Sequence, residues 1–175
     1  MNWLTKDLPP GSDPMGPEDD QKAAWDLFRK AYERQMKGEF DEAIKLYTGS
    51  IELYPTAEAY TFRGWTYSFM GMLDEAIEDC HHAITVDPDF GNPYNDIGAY
   101  LIGLGRYDEA IPWLEQAIGA KRYDPRHFPY FNLGRVYLAK GMINRAKEGF
   151  QEALRIEPRY REAQHAIENI RRMLN

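Results

Sequence analysis

One short phrase recurs through this chain, and it limits the fold more than any other feature. It reads G-E-F-D-E-A-I at 38–44, G-M-L-D-E-A-I at 71–77 and G-R-Y-D-E-A-I at 105–111, with a drifted copy, G-M-I-N-R-A-K, at 141–147. The glycines are 33, 34 and 36 residues apart. Self-similarity at such a period is the signature of stacked supersecondary units, none of which can bury its own apolar face alone.

Each unit reads as helix, tight turn, helix. Glycine sits at the turn, where a helix commonly ends on a left-handed residue that only glycine adopts without a Cβ penalty. Asp41, Asp74, Asp108 and Asn144 follow, where an N-cap oxygen is expected to receive free amide hydrogens. Pro55, Pro88 and Pro158 close three of the units. Arg122 stands in that place in the third, with two extra residues after it, so a looser connection is expected there. Small residues recur in the first helices (Ala31, Gly64, Gly98, Gly134) and in the second (Ala43, Ala76, Ala110, Ala146, then Ser50, Ala83, Ala117, Ala153). Large ones alternate with them, among them Tyr47, Cys80, Leu114 and Phe150, the pattern by which helix ridges interlock.

The best-kept copy carries Tyr130, Leu133, Gly134, Tyr137, Gly141, Ala146, Phe150, Ala153 and Pro158. On these residues the chain resembles the tetratricopeptide repeat family over about 24–160. The resemblance implies an all-α, right-handed superhelical solenoid of four helix-turn-helix repeats (about 24–56, 57–90, 91–126 and 127–160). A capping helix at 161–174 would follow, with Ala163, Ala166, Ile167, Ile170 and Leu174 as its apolar stripe. Residues 21–175 form one domain in this reading. Residues 1–20 are a flexible tail, because Pro9, Pro10, Gly11, Pro14, Gly16 and Pro17 disfavour helix.

In this family the first helix of each pair lines the concave side, which implies a protein-interaction module. The residues so assigned are Trp25, Phe28, Tyr32, Phe62, Trp65, Phe69, Asn92, Asn95, Asp96, Phe128, Phe131, Asn132 and Arg135. The rings form an apolar groove and the central Asn and Asp residues a polar stretch able to meet a peptide backbone. The expected partner is an apolar peptide or helix segment of another protein, or the chain's own tail through Trp3, Leu4 and Leu8. Self-association and a small secretion-type chaperone are the alternatives. One subfamily grips the carboxy-terminal carboxylates of heat-shock chaperones with Lys, Arg and Asn. The matching positions here, in either register, lack the cations, so no such clamp is expected.

The formal charge of −7 argues against nucleic acid and anionic membranes as partners. There is no secretory leader pattern and no apolar run of about 20 residues, so a cytoplasmic protein is expected. The lone Cys80 adjoins His81 and His82, but successive helix residues point about 100° apart, so no metal site is expected. The repeated D-E pairs are helix-start acids rather than acid–base pairs. No phosphate loop or nucleophile elbow appears. Neither an enzyme nor a cofactor is expected.

Overall fold

The computed structural model describes residues 18–174, so Trp3, Leu4 and Leu8 lie outside the described residues. Within them nine helices follow one another: α1 (Glu18–Met36), α2 (Phe40–Leu53), α3 (Ala57–Phe69), α4 (Leu73–Val86), α5 (Asn92–Gly103), α6 (Tyr107–Gly119), α7 (His127–Ala139), α8 (Ile143–Ile156) and α9 (Arg161–Leu174). The fold is an all-α helical repeat. Helix α1 begins at Glu18, so Glu18, Asp19 and Asp20 form its first turn rather than the end of a tail. Acids in that place complement the positive end of the helix.

Gly38, Gly71, Gly105 and Gly141 all have positive φ, between 71° and 80°. Around each, two backbone bonds close the finished helix. At the first turn, Gly38 N–H donates to Gln35 O and Glu39 N–H to Arg34 O; the other turns repeat the pattern. The next helix starts one residue later. That leaves Glu39, Met72, Arg106 and Met142 at the N-caps, none of them with a side-chain capping bond. Asp41, Asp74, Asp108 and Asn144 therefore sit one residue inside the helix, not at the cap. The three acids there act through the helix dipole, worth about 0.3–1 kcal/mol each.

Helices of one pair pack most closely, and α2, α4, α6 and α8 each pack on the helix that follows. Successive odd-numbered helices also touch: α1 meets α3, α3 meets α5, and α5 meets α7. The odd-numbered row thus forms the tighter, inner side of the stack. The small-residue columns explain the close approach. A Cβ placed on Gly98 would lie 2.5 Å from Leu114 Cδ2, and one on Gly134 would lie 2.6 Å from the Phe150 ring. At Gly149 it would lie 2.8–2.9 Å from the backbone of Gly134 and Tyr130, so α7 and α8 meet main chain to main chain. Arg63 ties three helices, donating twice to the buried Asp79 carboxylate (2.8 and 2.7 Å) and once to Thr48 Oγ1 (3.0 Å). On α9, Ala163, Ile167 and Ile170 cover Ala146, Phe150 and Ala153, whereas Leu174 is exposed.

The third connection is not loose. Arg122 pairs with Phe90 in an isolated parallel bridge, with Arg122 N–H on Asp89 O (2.9 Å) and Gly91 N–H on Arg122 O (3.0 Å). Its guanidinium donates to Asp87 and Glu58 and lies 4.2 Å above the Phe90 ring centroid. Tyr123 beside it is buried, and Arg126 donates to the carbonyls of Ile118 and Ala120. Charge pairing and ring burial take the place of the missing proline.

Two substitutions check the packing. Gly149→Ala should cost about 2 kcal/mol, because the clash is with backbone that cannot rotate away. Gly98→Leu should cost more, as Leu114 would have to leave its site. Urea denaturation of each variant reads this, and an unchanged midpoint for Gly149→Ala would contradict the main-chain contact.

Candidate functional site

The repeat step superimposes positions down the odd-numbered helices, and burial then sorts them into rows. The row Tyr32, Trp65, Ala99, Arg135 is half-buried or exposed throughout, as is Trp25, Glu58, Asn92, Phe128. On either side of the stripe they form lie two rows that are sealed except at Arg29 and Phe131. Phe62, Asp96 and Asn132 face the preceding repeat, while Phe28, Thr61 and Asn95 face the following one. The contacts give these directions. The Phe62 ring meets Phe28 (5.2 Å between centroids), Tyr32 (5.7 Å) and Tyr47 (6.3 Å) from the repeat before it.

Several residues assigned to the groove from sequence therefore belong beneath it. Phe28 is 3% exposed and Phe62 is 1% exposed; they are the core between the first two repeats. Asn95, Asp96 and Asn132 are buried as well, so they do not form an open polar stretch. They bond to one another instead. Trp65 Nε1 and Asn95 Nδ2 donate to the two carboxylate oxygens of Asp96. Asn132 Nδ2 donates to Asn95 Oδ1 (3.0 Å), and Arg135 to Asn132 Oδ1 (3.0 Å). This relay runs along the inner side from α3 through α5 to α7 and ends at an exposed guanidinium.

The remaining candidates are open in different ways. Trp25 stands edge-on to Phe28 (5.2 Å). Trp65 leans on Phe62 (4.8 Å). Phe131 is half-buried against Phe150 (5.4 Å) and Tyr160 (5.0 Å), and Phe128 is exposed beside the same tyrosine (5.7 Å). Asn92 is half-buried at the start of α5. Phe69 is 62% exposed, but at the turn edge of the stack, stacked on Phe40 (5.7 Å). Glu58, which the repeat register also puts on the inner side, lies on the second open row with its carboxylate held by Arg122 at 2.7 Å.

The interior carries one ionisable group of unusual character. Burial raises the Asp96 carboxyl to about 7, against the opposing bonds from Trp65 and Asn95. Burial likewise pushes the Cys80 thiol up. His81 and His82 are exposed on the opposite side, their rings against Trp113 and Tyr60 (5.2 Å each). No group of three or more His, Cys, Asp or Glu able to hold a metal occurs among the described residues. No helix among them is long and apolar enough to cross a membrane.

Comparison with known proteins agrees with the fold. Two family models described as tetratricopeptide repeat match residues 57–90 and 89–159. The chain belongs to the tetratricopeptide repeat family. The first helix pair lies outside the matched residues, yet it carries the same turn, with Gly38 at φ 76°. Small glutamine-rich tetratricopeptide repeat-containing protein 2 of Mycosarcoma maydis is 35% identical over 81 residues, which is 46% of this chain and 23% of that protein. TPR repeat-containing protein YpiA of Bacillus subtilis is 26% identical over 139 residues, 79% of this chain and 32% of that protein. Hsp70-Hsp90 organizing protein 3 of Arabidopsis thaliana is 29% identical over 111 residues, 63% of this chain and 19% of that protein. The chain thus spans a third or less of the length of these relatives. Among solved structures, Pseudomonas aeruginosa PilF superimposes with a TM-score of 0.81 at 21% identity, covering 87% of this chain and 69% of that one. MamA does so with a TM-score of 0.67 at 26% identity, covering 80% and 81%.

Asp96 makes stability depend on pH in a definite direction. Its folded value, about 7, lies above the ordinary 3.8. Between those values the folded chain keeps a proton that the unfolded chain has released. The stabilisation is full below about pH 4 and is lost as pH rises through about 7. Asp96→Asn cannot ionise and should lose less stability between about pH 5 and about pH 8 than the wild type. Urea midpoints measured across that range check it, and parallel curves would rule it out.

Proposed function

We infer that the inner side of the stack holds an extended or helical segment of another protein. The observation that carries this is the row Tyr32, Trp65, Ala99, Arg135. It occupies one helical position in four successive repeats and stays open in all of them, while the rows beside it are sealed except at Arg29 and Phe131. The row is graded. Rings lie at one end, a small residue in the middle leaves room, and a guanidinium steadied by Asn132 stands at the other end. Aromatic anchors and Arg are the side chains that most often dominate interface energies. A guest with apolar side chains over Tyr32 and Trp65, and an acceptor or carboxylate near Arg135, fits this order.

The relatives support an adaptor role for such repeats. One carries the organisation of Hsp70 and Hsp90 in its name. The chaperone-carboxylate grip does not transfer with that likeness. On the inner rows described above, the cations are Arg29 and Arg135, three repeats apart, and Arg29 is paired with Asp26. They cannot converge on one carboxylate.

Capture from lysate followed by mass spectrometry tests the reading. Arg135→Glu and Tyr32→Ala both change the open row, the first at the cost of the bond to Asn132 and the second of the ring contact with Phe62. Urea midpoints of the two variants check that each remains folded. Each should lose the captured partner by roughly tenfold or more. A partner retained equally by both variants would exclude the inner row as its seat.

A second reading has one observation in its favour. Residues 1–17 lead directly into α1, an inner-row helix, and an extended chain of that length reaches on the order of 50–60 Å. The tail can therefore lie along the same row and offer Trp3, Leu4 and Leu8 as its guest. Deleting residues 1–17 should then raise partner capture with no change in assembly mass. A dimer that falls apart on deletion would instead mean that tails are exchanged between copies. Unchanged capture and mass would exclude the tail from the row.

A further inference from the structure

A second surface lies at the edge where each first helix turns into the second, away from the inner row. The ends of α1 and α3 project Met36 (67% exposed), Phe69 (62% exposed) and Met70 (40% exposed) into solvent. Phe69 stacks on Phe40 at an interplanar angle of 20°, so the two form one ringed platform joining the first and second repeats. Large apolar groups this exposed and this close together mark interaction sites more often than accidents of composition. Unbranched Met suits a surface that adapts to its guest.

The same edge is negatively charged. Helices α2 and α4 begin there, with Asp41, Glu42, Asp74 and Glu75 all exposed. Asp41, Asp74 and Glu75 take part in no ion pair within 4 Å among the described residues, and Glu42 has Lys45 only at 3.8 Å. Arg34 is occupied by Glu39 (2.6 Å), which leaves Lys37 and, beside Asp74, Arg106 as counterweights. In the third and fourth repeats the ring platform is lost, although Leu104 in Met70's place is still 42% exposed. Gly103 and Ala139 replace Phe69 at the equivalent position. There the helix-start acids are paired, Glu109 with Arg106 (2.6 Å) and Asp108 with Lys140. The apolar platform and the lightly compensated carboxylates thus coincide in the first two repeats.

We propose that this edge is a docking site for a basic amphipathic helix, its apolar face on Met36, Phe69 and Met70 and its Lys or Arg side chains against Asp41, Glu42, Asp74 and Glu75. Complementary charge selects the guest: a neutral or acidic apolar segment would bring no partner for the carboxylates, and an acidic one would be repelled. The surface is separate from the inner row, so a chain can hold two guests at once.

The test uses the full chain labelled at the methionine methyl groups and a synthetic helical peptide of leucine and lysine in a 3.5-residue period. A matched peptide with glutamate for lysine is the control. On titration, the Met36 and Met70 methyl signals should move, while those of Met142, in the fourth repeat's turn, and Met173, on the last helix, stay in place. The glutamate peptide should not bind. Phe69→Ser and the double change Asp74→Asn with Glu75→Gln should each weaken binding by roughly tenfold, and raised salt should weaken it in the wild type. If Phe69→Ser fails to fold, the double change, which alters only exposed charge, carries the test. Static Met36 and Met70 signals, or equal binding of the glutamate peptide, would overturn the proposal.

Discussion

Close approach of helix to helix is the constraint on which the rest of this structure depends. In the third and fourth repeats a glycine of the first helix faces a bulky residue of the second, Gly98 under Leu114 and Gly134 under the Phe150 ring, and in the second repeat Gly64 lies against the Ala76 backbone. This leaves no room for a Cβ and sets the spacing of the pair. Once that spacing is set, the rotation of each odd-numbered helix is set too. Rotation then decides which positions face the repeat before, which face the repeat after, and which remain on the inner side. The open row is a by-product of that geometry. Its chemistry is free to vary, as the change from Tyr32 to Trp65, Ala99 and Arg135 illustrates.

Much of this was readable from the residues. The glycines at positive φ, the small columns at Ala43, Ala76, Ala110 and Ala146, and the apolar stripe of α9 fall where periodicity puts them. The groove was less readable, for a geometrical reason. Phe28 and Phe62 look alike in sequence but occupy different repeat positions, since Phe28 aligns with Thr61 and Phe62 with Arg29. Both are inward because Phe28 has a repeat after it and Phe62 a repeat before it. Arg29 stands in Phe62's place and is exposed; among the described residues no helix packs on that side of α1. Ring content alone does not separate these cases; register against the neighbouring repeat does.

Polar residues escaped for a related reason. Asn95, Asp96 and Asn132 read as surface residues because such side chains are rarely buried without partners. Here they are one another's partners, and Trp65 and Arg135 close the two ends of the relay. A carboxyl kept in such surroundings is tolerable because it can hold its proton near neutrality. Arg122 was misjudged through the same blind spot. The absence of proline suggested slack, but a guanidinium reaching Asp87, Glu58 and the face of Phe90 restrains a connector without any help from ring closure.

That guanidinium also bears on how the array comes apart. In a plain solenoid each unit touches only its neighbours, so the ends can fray one unit at a time. Arg122 joins the start of α3, the end of α4 and the connector ahead of α7, three points far apart along the chain. Displacing the connector ahead of the fourth unit therefore also breaks bonds anchored in the second, which a stack held only by nearest neighbours would not require.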